Sequence, residues 1–276
     1  MSTSPILVVG GNGKTGRRVN SKLQALGLPT RPVSRSTSPA FDWTKPETWG
    51  PALEGTRAAY VSFQPDLAVP GGVEAIAAFS ALAREKGLDH IVLLSGRGEE
   101  QAQRAEQALQ DSGVSWTVVR ASWFNQNFSE SFLLDGVMSG EIALPAGDVP
   151  EPFVDADDIA DVAVAALTKI GHRDRVYEVT GPRAITFAQA VGEIAVATGR
   201  SIRYTQIPVE TFVDGLRKAE LPDDLVGLLE ELFGTILDGR NTPLAHGVEE
   251  ALARPPRDFS DYVRKTVEQG IWSRKP

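Results

Sequence analysis

Pro5-Ile6-Leu7-Val8-Val9-Gly10-Gly11-Asn12-Gly13-Lys14-Thr15-Gly16 is the stretch on which the fold turns. Its first part is apolar throughout and ends in glycine, which suits a strand buried on both faces. Lys14 to Leu26 follows as a helix, with Val19, Leu23 and Leu26 on one face and Gly27 as the stop. Between the two lies Gly10-x-x-Gly13-x-x-Gly16. Gly10 permits a tight turn, Gly13 lets backbone approach a diphosphate, and Gly16 lets the helix pack on the sheet. Amides at the helix start then face the phosphates, aided by the helix dipole. Asn12 lies inside the turn, Lys14 adds charge and Thr15 a hydroxyl. A P-loop is disfavoured, because its first glycine would fall on Val8, inside the strand.

Outward from this unit the alternation continues. Pro29–Ser34, Ala58–Ser62, His90–Ser95 and Trp116–Arg120 read as strands, and Val73–Lys86 and Glu99–Ser112 as helices. Repeated strand–helix alternation predicts a Rossmann-type, doubly wound parallel α/β sheet. The second half is mixed. Phe124–Gly140 reads as a polar–aromatic loop with a short helix, and Pro150–Val154 as a strand. Asp157 caps a helix over Ile159–Lys169, Val176–Val179 is a strand, and Thr186 caps a helix over Phe187–Thr198. Ile202–Ile207 is a strand, Val209–Asp238 helices broken at Pro222, and Phe259–Glu268 a terminal helix. The expected organisation is a nucleotide-binding lobe over 1–140 and a smaller α+β lobe over 141–276, mainly for substrate, interleaved as one globular unit.

Composition excludes several chemistries. The 276 residues contain no Cys, which removes disulfides, thiolate metal centres and thiol nucleophiles. The three His are far apart, so no metal site is expected. No apolar run approaches the roughly 20 residues of a membrane span, and no signal pattern opens the chain. A cytoplasmic protein without membrane partners is the default. The net charge of −8 argues against nucleic acid. Yet the residues before Asp42 carry +6 and no acid, leaving −14 for the remainder. That basic opening points to a localised anion site. At the end of the second strand stands Ser34-Arg35-Ser36, with no acid to accept from a ribose 2′-hydroxyl. Arg35 and the serine hydroxyls there suit the 2′-phosphate of NADP(H).

Short-chain dehydrogenases commonly donate a proton from Tyr, with Lys four residues on. Here Tyr60, Tyr177, Tyr204 and Tyr262 are followed at that spacing by Gln64, Gly181, Pro208 and Thr266. The helix after the fourth strand carries Gln103, Arg104 and Glu106 instead. Two readings survive: an NADP(H)-binding redox sensor without chemistry, or a reductase whose acceptor needs no strong acid. An iminium becomes a neutral amine on gaining hydride, and a quinone spreads its negative charge, so general acid catalysis is dispensable.

Taken in order, the glycine motif, Arg35, Phe41-Asp42-Trp43, Ser95-Gly96-Arg97-Gly98-Glu99-Glu100, Arg120-Ala121-Ser122-Trp123-Phe124 with Gln126-Asn127-Phe128, and Phe153-Val154-Asp155 with Asp157-Asp158-Ile159-Ala160 resemble the NmrA-like atypical short-chain dehydrogenases. The Ser-Gly-Arg-Gly-Glu-Glu and Ala-Ser-Trp-Phe segments look most like the festuclavine and agroclavine dehydrogenase branch. The resemblance covers nearly the whole chain. It implies NADP(H) and hydride transfer to a small iminium, quinone or conjugated carbonyl. It implies that Asn12, Gly13, Lys14 and Thr15 hold the diphosphate, Arg35 the 2′-phosphate, and Asp42 and Trp43 the adenine. It further implies Ser62, Phe63 and Gln64 along the ribose and nicotinamide, and Ser95 and Gly96 at the strand end, where Ser95 is the candidate catalytic residue, positioning substrate or nicotinamide by a hydrogen bond. Ser122, Trp123, Phe124 and Asn125 would border substrate, with Phe128 behind them. Each has a plainer reading: Asp42 as a turn cap, Trp43 and Phe128 as packing, Asp155, Asp157 and Asp158 as turn and cap, Arg120 as an ion pair. Substrate identity and oligomeric state are open at this level.

Overall fold

The computed structural model describes residues 4–273. Its strands are β1 (Ile6–Val9), β2 (Thr30–Val33), β3 (Ala58–Val61), β4 (His90–Gly96), β5 (Ser115–Ala121), β6 (Glu141–Leu144), β7 (Arg175–Val179) and β8 (Arg203–Gln206). The helices are α1 (Lys14–Ala25), α2 (Trp49–Leu53), α3 (Gly72–Glu85), α4 (Glu100–Gln110), α5 (Asn127–Glu130), α6 (Leu134–Ser139), α7 (Ala156–Thr168), α8 (Phe187–Thr198), α9 (Val209–Lys218), α10 (Asp223–Glu231), α11 (Gly247–Leu252) and α12 (Phe259–Glu268).

The chain divides into two units, one running to Ala121 and adding Ala156–Val179 and His246–Arg254. It holds a six-stranded sheet of order β2-β1-β3-β4-β5-β7, parallel at every pair. This is the expected doubly wound α/β architecture. β1 lies between β2 and β3, and its four side chains are at most 1% exposed. Each such aliphatic contributes about 1.5–3 kcal/mol by leaving water, which is why the apolar run takes the centre. The strand order reverses at β1 and β3, and in open α/β sheets ligands bind beyond the strand ends at that point. The glycine turn and Ser62–Gln64 both leave the sheet there.

The second unit comprises Ser122–Asp155, Thr180–Ala245 and the chain from Pro255. Its core gathers Phe128, Phe153, Phe187, Phe212, Phe233, Phe259 and Trp272. β6 and β8 form a two-stranded parallel pair. Thr186 caps α8 as expected, through a capping box: its Oγ1 accepts from the Gln189 amide at 3.1 Å, and Gln189 Oε1 from the Thr186 amide at 2.8 Å.

Three local expectations are corrected. Pro150–Val154 is no strand; it makes only isolated bridges, Glu151 to Ile185 and Val154 to Phe124. Pro150 and Pro152 have no N–H to give a ladder. Asp157 does not cap a helix but lies in the first turn of α7, 3.6 Å from Arg18 Nε and 3.5 Å from Lys22 Nζ. The segment before Gly140 holds two short helices, α5 and α6, rather than one. Strand β6 was not anticipated, although Glu141–Leu144 alternates exposed and buried as a half-buried strand does. Among the described residues no helix is long and apolar enough to cross a membrane.

Candidate cofactor-binding and active site

The turn after β1 is built by its glycines. Gly10 has φ +75°, and a Cβ on Gly16 would collide with the Gly10 carbonyl oxygen, so α1 begins directly on the turn. A Cβ at Gly13 would stand 3.1 Å from that same oxygen and 3.5 Å from Gln64 Nε2. Gln64, from the loop after β3, therefore borders the turn. Gly13 is the N-cap of α1, with no side-chain cap and no acid in the first turn. Helix-start amides left uncapped, beside a turn with no room for side chains, fit a diphosphate. Thr15 is buried, so what it offers an anion is its backbone rather than an open hydroxyl. Gly11, to which the sequence reading gives no role, is also tightly placed: a Cβ there would lie 2.7 Å from Pro32 Cβ.

Register carries the next group to the turn. Val9 pairs with Val33, which sets Ser34 beside the glycines. Asn12 Nδ2 donates to Ser34 Oγ at 3.0 Å, and the Ser34 and Ser36 hydroxyls lie 3.1 Å apart. Arg35 between them is exposed, with no ion-pair partner among the described residues. Three other basic residues of the opening are used structurally. Arg31 donates to the Ala52 and Glu54 carbonyls, Lys22 pairs with Asp161 at 2.8 Å, and Arg18 with Asp157. Two hydroxyls and an exposed guanidinium on the loop after β2, tied to the Asn12 amide of the glycine turn, fit a phosphate monoester.

Asp42 is a turn cap: its Oδ1 accepts from the Thr44 amide at 3.0 Å and the Thr44 hydroxyl at 2.8 Å. The Thr44 amide, then its hydroxyl, hold that carboxyl below its ordinary range. Trp43 is half-buried and packs on Phe63 with ring centroids 4.6 Å apart and on Phe41 at 4.9 Å. The structure thus joins Trp43 to Phe63, which the sequence could place only as separate residues.

At the end of β4 the Ser95 hydroxyl donates to Glu106 Oε1 at 2.5 Å. Glu106 is 2% exposed on α4 and takes two bonds from Arg120, Nε at 3.0 Å and Nη2 at 2.5 Å. Arg120 also reaches Glu178 at 2.7 Å, and Arg97 lies 3.4 Å from Glu178. Hydrogen bonds to Glu106 above all push the Arg120 guanidinium upward. Arg120 makes the structural ion pair its plainer reading foresaw. The Glu99 carboxylate folds over Gly96, where a Cβ would collide with it. The sequence did not single out Glu106 for a role; the available signal was an acid on the buried face of α4 with Ala102, Ala105 and Leu109.

In the second unit, Trp123 is half-buried, its ring 4.9 Å from Phe233 and 5.3 Å from Phe187. Phe233 stands on a π-helical turn, Leu232–Ile236, that composition does not reveal. Phe128 is fully buried among Phe153, Phe187 and Phe259 and belongs to the core. Ser122 donates to Glu151 Oε2 at 3.3 Å. Asn125 is fully buried with neither amide atom hydrogen-bonded. Asp155 accepts from Gln126 at 2.8 Å, and in the first unit Asp158 pairs with Arg254 at 2.7 Å, so these acids are structural.

Sheet order, glycine turn and phosphate-suited loop define a dinucleotide-binding protein of the Rossmann class. The NmrA-like family model matches residues 100–263, and the chain belongs to the NmrA-like family. It is 30% identical to an NAD(P)H azoreductase from Xenophilus azovorans, over 94% of this chain and 96% of that one. It is 30% identical to festuclavine synthase II of Penicillium roqueforti, over 97% and 99%. In fold it resembles an NADPH-dependent quinone oxidoreductase from Escherichia coli complexed with NADPH: TM-score 0.80, 19% identity, covering 95% of this chain and 99% of that one. The family and branch resemblance expected from the sequence is borne out.

Proposed function

We propose that the protein is an NAD(P)H-dependent oxidoreductase, preferring NADPH, that passes hydride to a small iminium, quinone or conjugated carbonyl compound. The observation that carries the reading is the uncapped start of α1 on a glycine turn, beside Asn12, Ser34, Ser36 and Arg35. The curated relatives bearing reductase and synthase names support the chemistry. Lys14 and the turn amides take the diphosphate, and Arg35 the 2′-phosphate. Trp43, Phe63 and Gln64 flank the nucleoside moieties, and Ser95 and Gly96 meet the nicotinamide end. Ser122, Trp123, Phe124 and Asn125 contribute to substrate binding, with Phe128 supporting them from the core.

The bound nicotinamide supplies the hydride; the chain supplies orientation and a dry surface. No Tyr–Lys pair stands on α4, where the Glu106–Arg120 pair lies behind Ser95. Acceptors that need no proton from the protein therefore suit it best. The test is to follow NADPH absorbance with a panel of quinones and cyclic iminium compounds. Consumption with at least one class is expected. Tight NADPH binding without turnover of any class would overturn the enzyme reading and leave a redox sensor.

A further inference from the structure

A serine hydroxyl has one hydrogen to give. That of Ser95 is given to Glu106, at 2.5 Å. Both Glu106 oxygens meet N–H donors of Arg120, which has no acceptor to offer, so the hydrogen between Ser95 and Glu106 is the serine's. Ser95 is then left with lone pairs only. Ser95 is 4% exposed, and toward a group at the end of β4 its oxygen can accept a hydrogen bond but not donate one to a carbonyl oxygen. The charges around it agree. Glu106 lies behind Ser95 and Glu99 over Gly96, with Glu178 farther along; Arg120 pairs with Glu106 and Glu178, and Arg97 with Glu178.

The geometry points to Ser95 as a specificity residue that selects a cationic acceptor bearing an N–H, such as a protonated cyclic imine, over ketones and quinones. This rests on the proposed reductase reading and narrows its substrate class. The chemistry balances without a protein acid. Hydride forms a C–H bond at the iminium carbon, the C=N π pair becomes the nitrogen lone pair, and the nicotinamide is oxidised. The N–H that Ser95 accepts from persists in the amine product. A hydrogen bond to a charged group is worth roughly ten-fold or more in binding.

Two N–H sources are possible at this position, the acceptor and the carboxamide of the nicotinamide, and the experiment separates them. The probes are 3,4-dihydroisoquinolinium and its N-methyl analogue, cations of like shape that differ in the N–H. The wild-type protein should favour the N–H compound in kcat/KM by about ten-fold. Ser95→Ala should collapse that ratio to about one, and Ser95→Thr, which keeps a hydroxyl, should retain it. Calorimetry on the NADP⁺ complex with the same two iminium cations, which the oxidised cofactor cannot reduce, should show the same preference without turnover. Equal wild-type binding of the two cations overturns the inference. A ratio unchanged in Ser95→Ala with weakened NADPH also overturns it, because Ser95 would then serve the cofactor. Preference for the N–H cation without turnover of any acceptor would sustain the Ser95 assignment while defeating the reductase reading.

Discussion

Asn12 Nδ2 donates to Ser34 Oγ over 3.0 Å, tying the glycine turn after β1 to the loop after β2. Two chain segments 22 residues apart thereby form one phosphate-suited surface, and Arg35 stands on it without an ion-pair partner among the described residues.

Cofactor preference should follow from that surface. Arg35→Asp places a carboxylate where the 2′-phosphate is proposed to lie. NADPH affinity should fall by roughly ten- to hundred-fold, and NADH affinity by less than about three-fold. Fluorescence titration of both cofactors measures this. Equal loss for the two would place the 2′-phosphate elsewhere.

The turn itself tolerates no Cβ at Gly16, because it would meet the Gly10 carbonyl. Gly16→Ala should shift α1 off the turn, costing about 1–3 kcal/mol and weakening both cofactors together. Thermal melts with and without NADPH test it; an unchanged melting temperature with intact binding would contradict the packing.

Glu106 is buried and depends on Arg120. Arg120→Leu should destabilise the protein by about 3 kcal/mol, since removing one partner strands the other charge. The double change with Glu106→Leu should recover a large part of the loss. Urea unfolding reads both, and a double variant as unstable as the sum of the singles would remove the pair from the account.

His90 makes stability depend on pH. It is 4% exposed, with Nδ1 3.1 Å from Ser115 Oγ and Nε2 3.1 Å from Thr117 Oγ1. Thr117 gives its hydrogen to the His172 carbonyl at 2.6 Å, so His90 Nε2 carries the proton shared with Thr117. Burial, then the Arg173 charge, lower the His90 pKa to about 4 from 6.5. The unfolded chain binds the extra proton first, so this contribution is complete above about pH 6.5 and is lost as pH falls toward 4. The loss is at most about 3 kcal/mol at 1.36 kcal/mol per unit. His90→Gln should flatten the urea-midpoint profile between pH 7 and 4; an unaltered slope would assign the acid sensitivity to other groups.

Trp123 rests on Phe233 and Phe187 and keeps part of its ring exposed. Trp123→Ala should raise KM for an aromatic acceptor about ten-fold, with a smaller change in kcat, because stacking area is lost without touching the cofactor. Steady-state kinetics decide it, and an unchanged KM would take Trp123 out of substrate binding.

The first 121 residues were readable because their signals are local. Apolar runs end in glycine, helices stop at Gly27 and Gly87, and each unit repeats the one before. Pro150–Val154 misled because composition suggested a strand, while the missing N–H groups of two prolines decided otherwise. The π turn that carries Phe233 leaves no mark that periodicity detects, and the four-residue β6 is too short to stand out until it pairs with β8, the strand expected over Ile202–Ile207.

For the candidate site the division is similar. A glycine motif and an Arg after the second strand are legible, since backbone sterics and charge belong to the residues themselves. Who receives the Ser95 hydrogen is not. Glu106 is 11 positions away and Arg120 lies on the neighbouring strand β5, and only the parallel pairing of β4 with β5, Ser95 beside Arg120, brings donor, carboxylate and guanidinium together. Residue type settles what a side chain can exchange; the register of the sheet settles with whom, because hydrogen bonds act over about 3 Å and the chain reaches that distance only when folded.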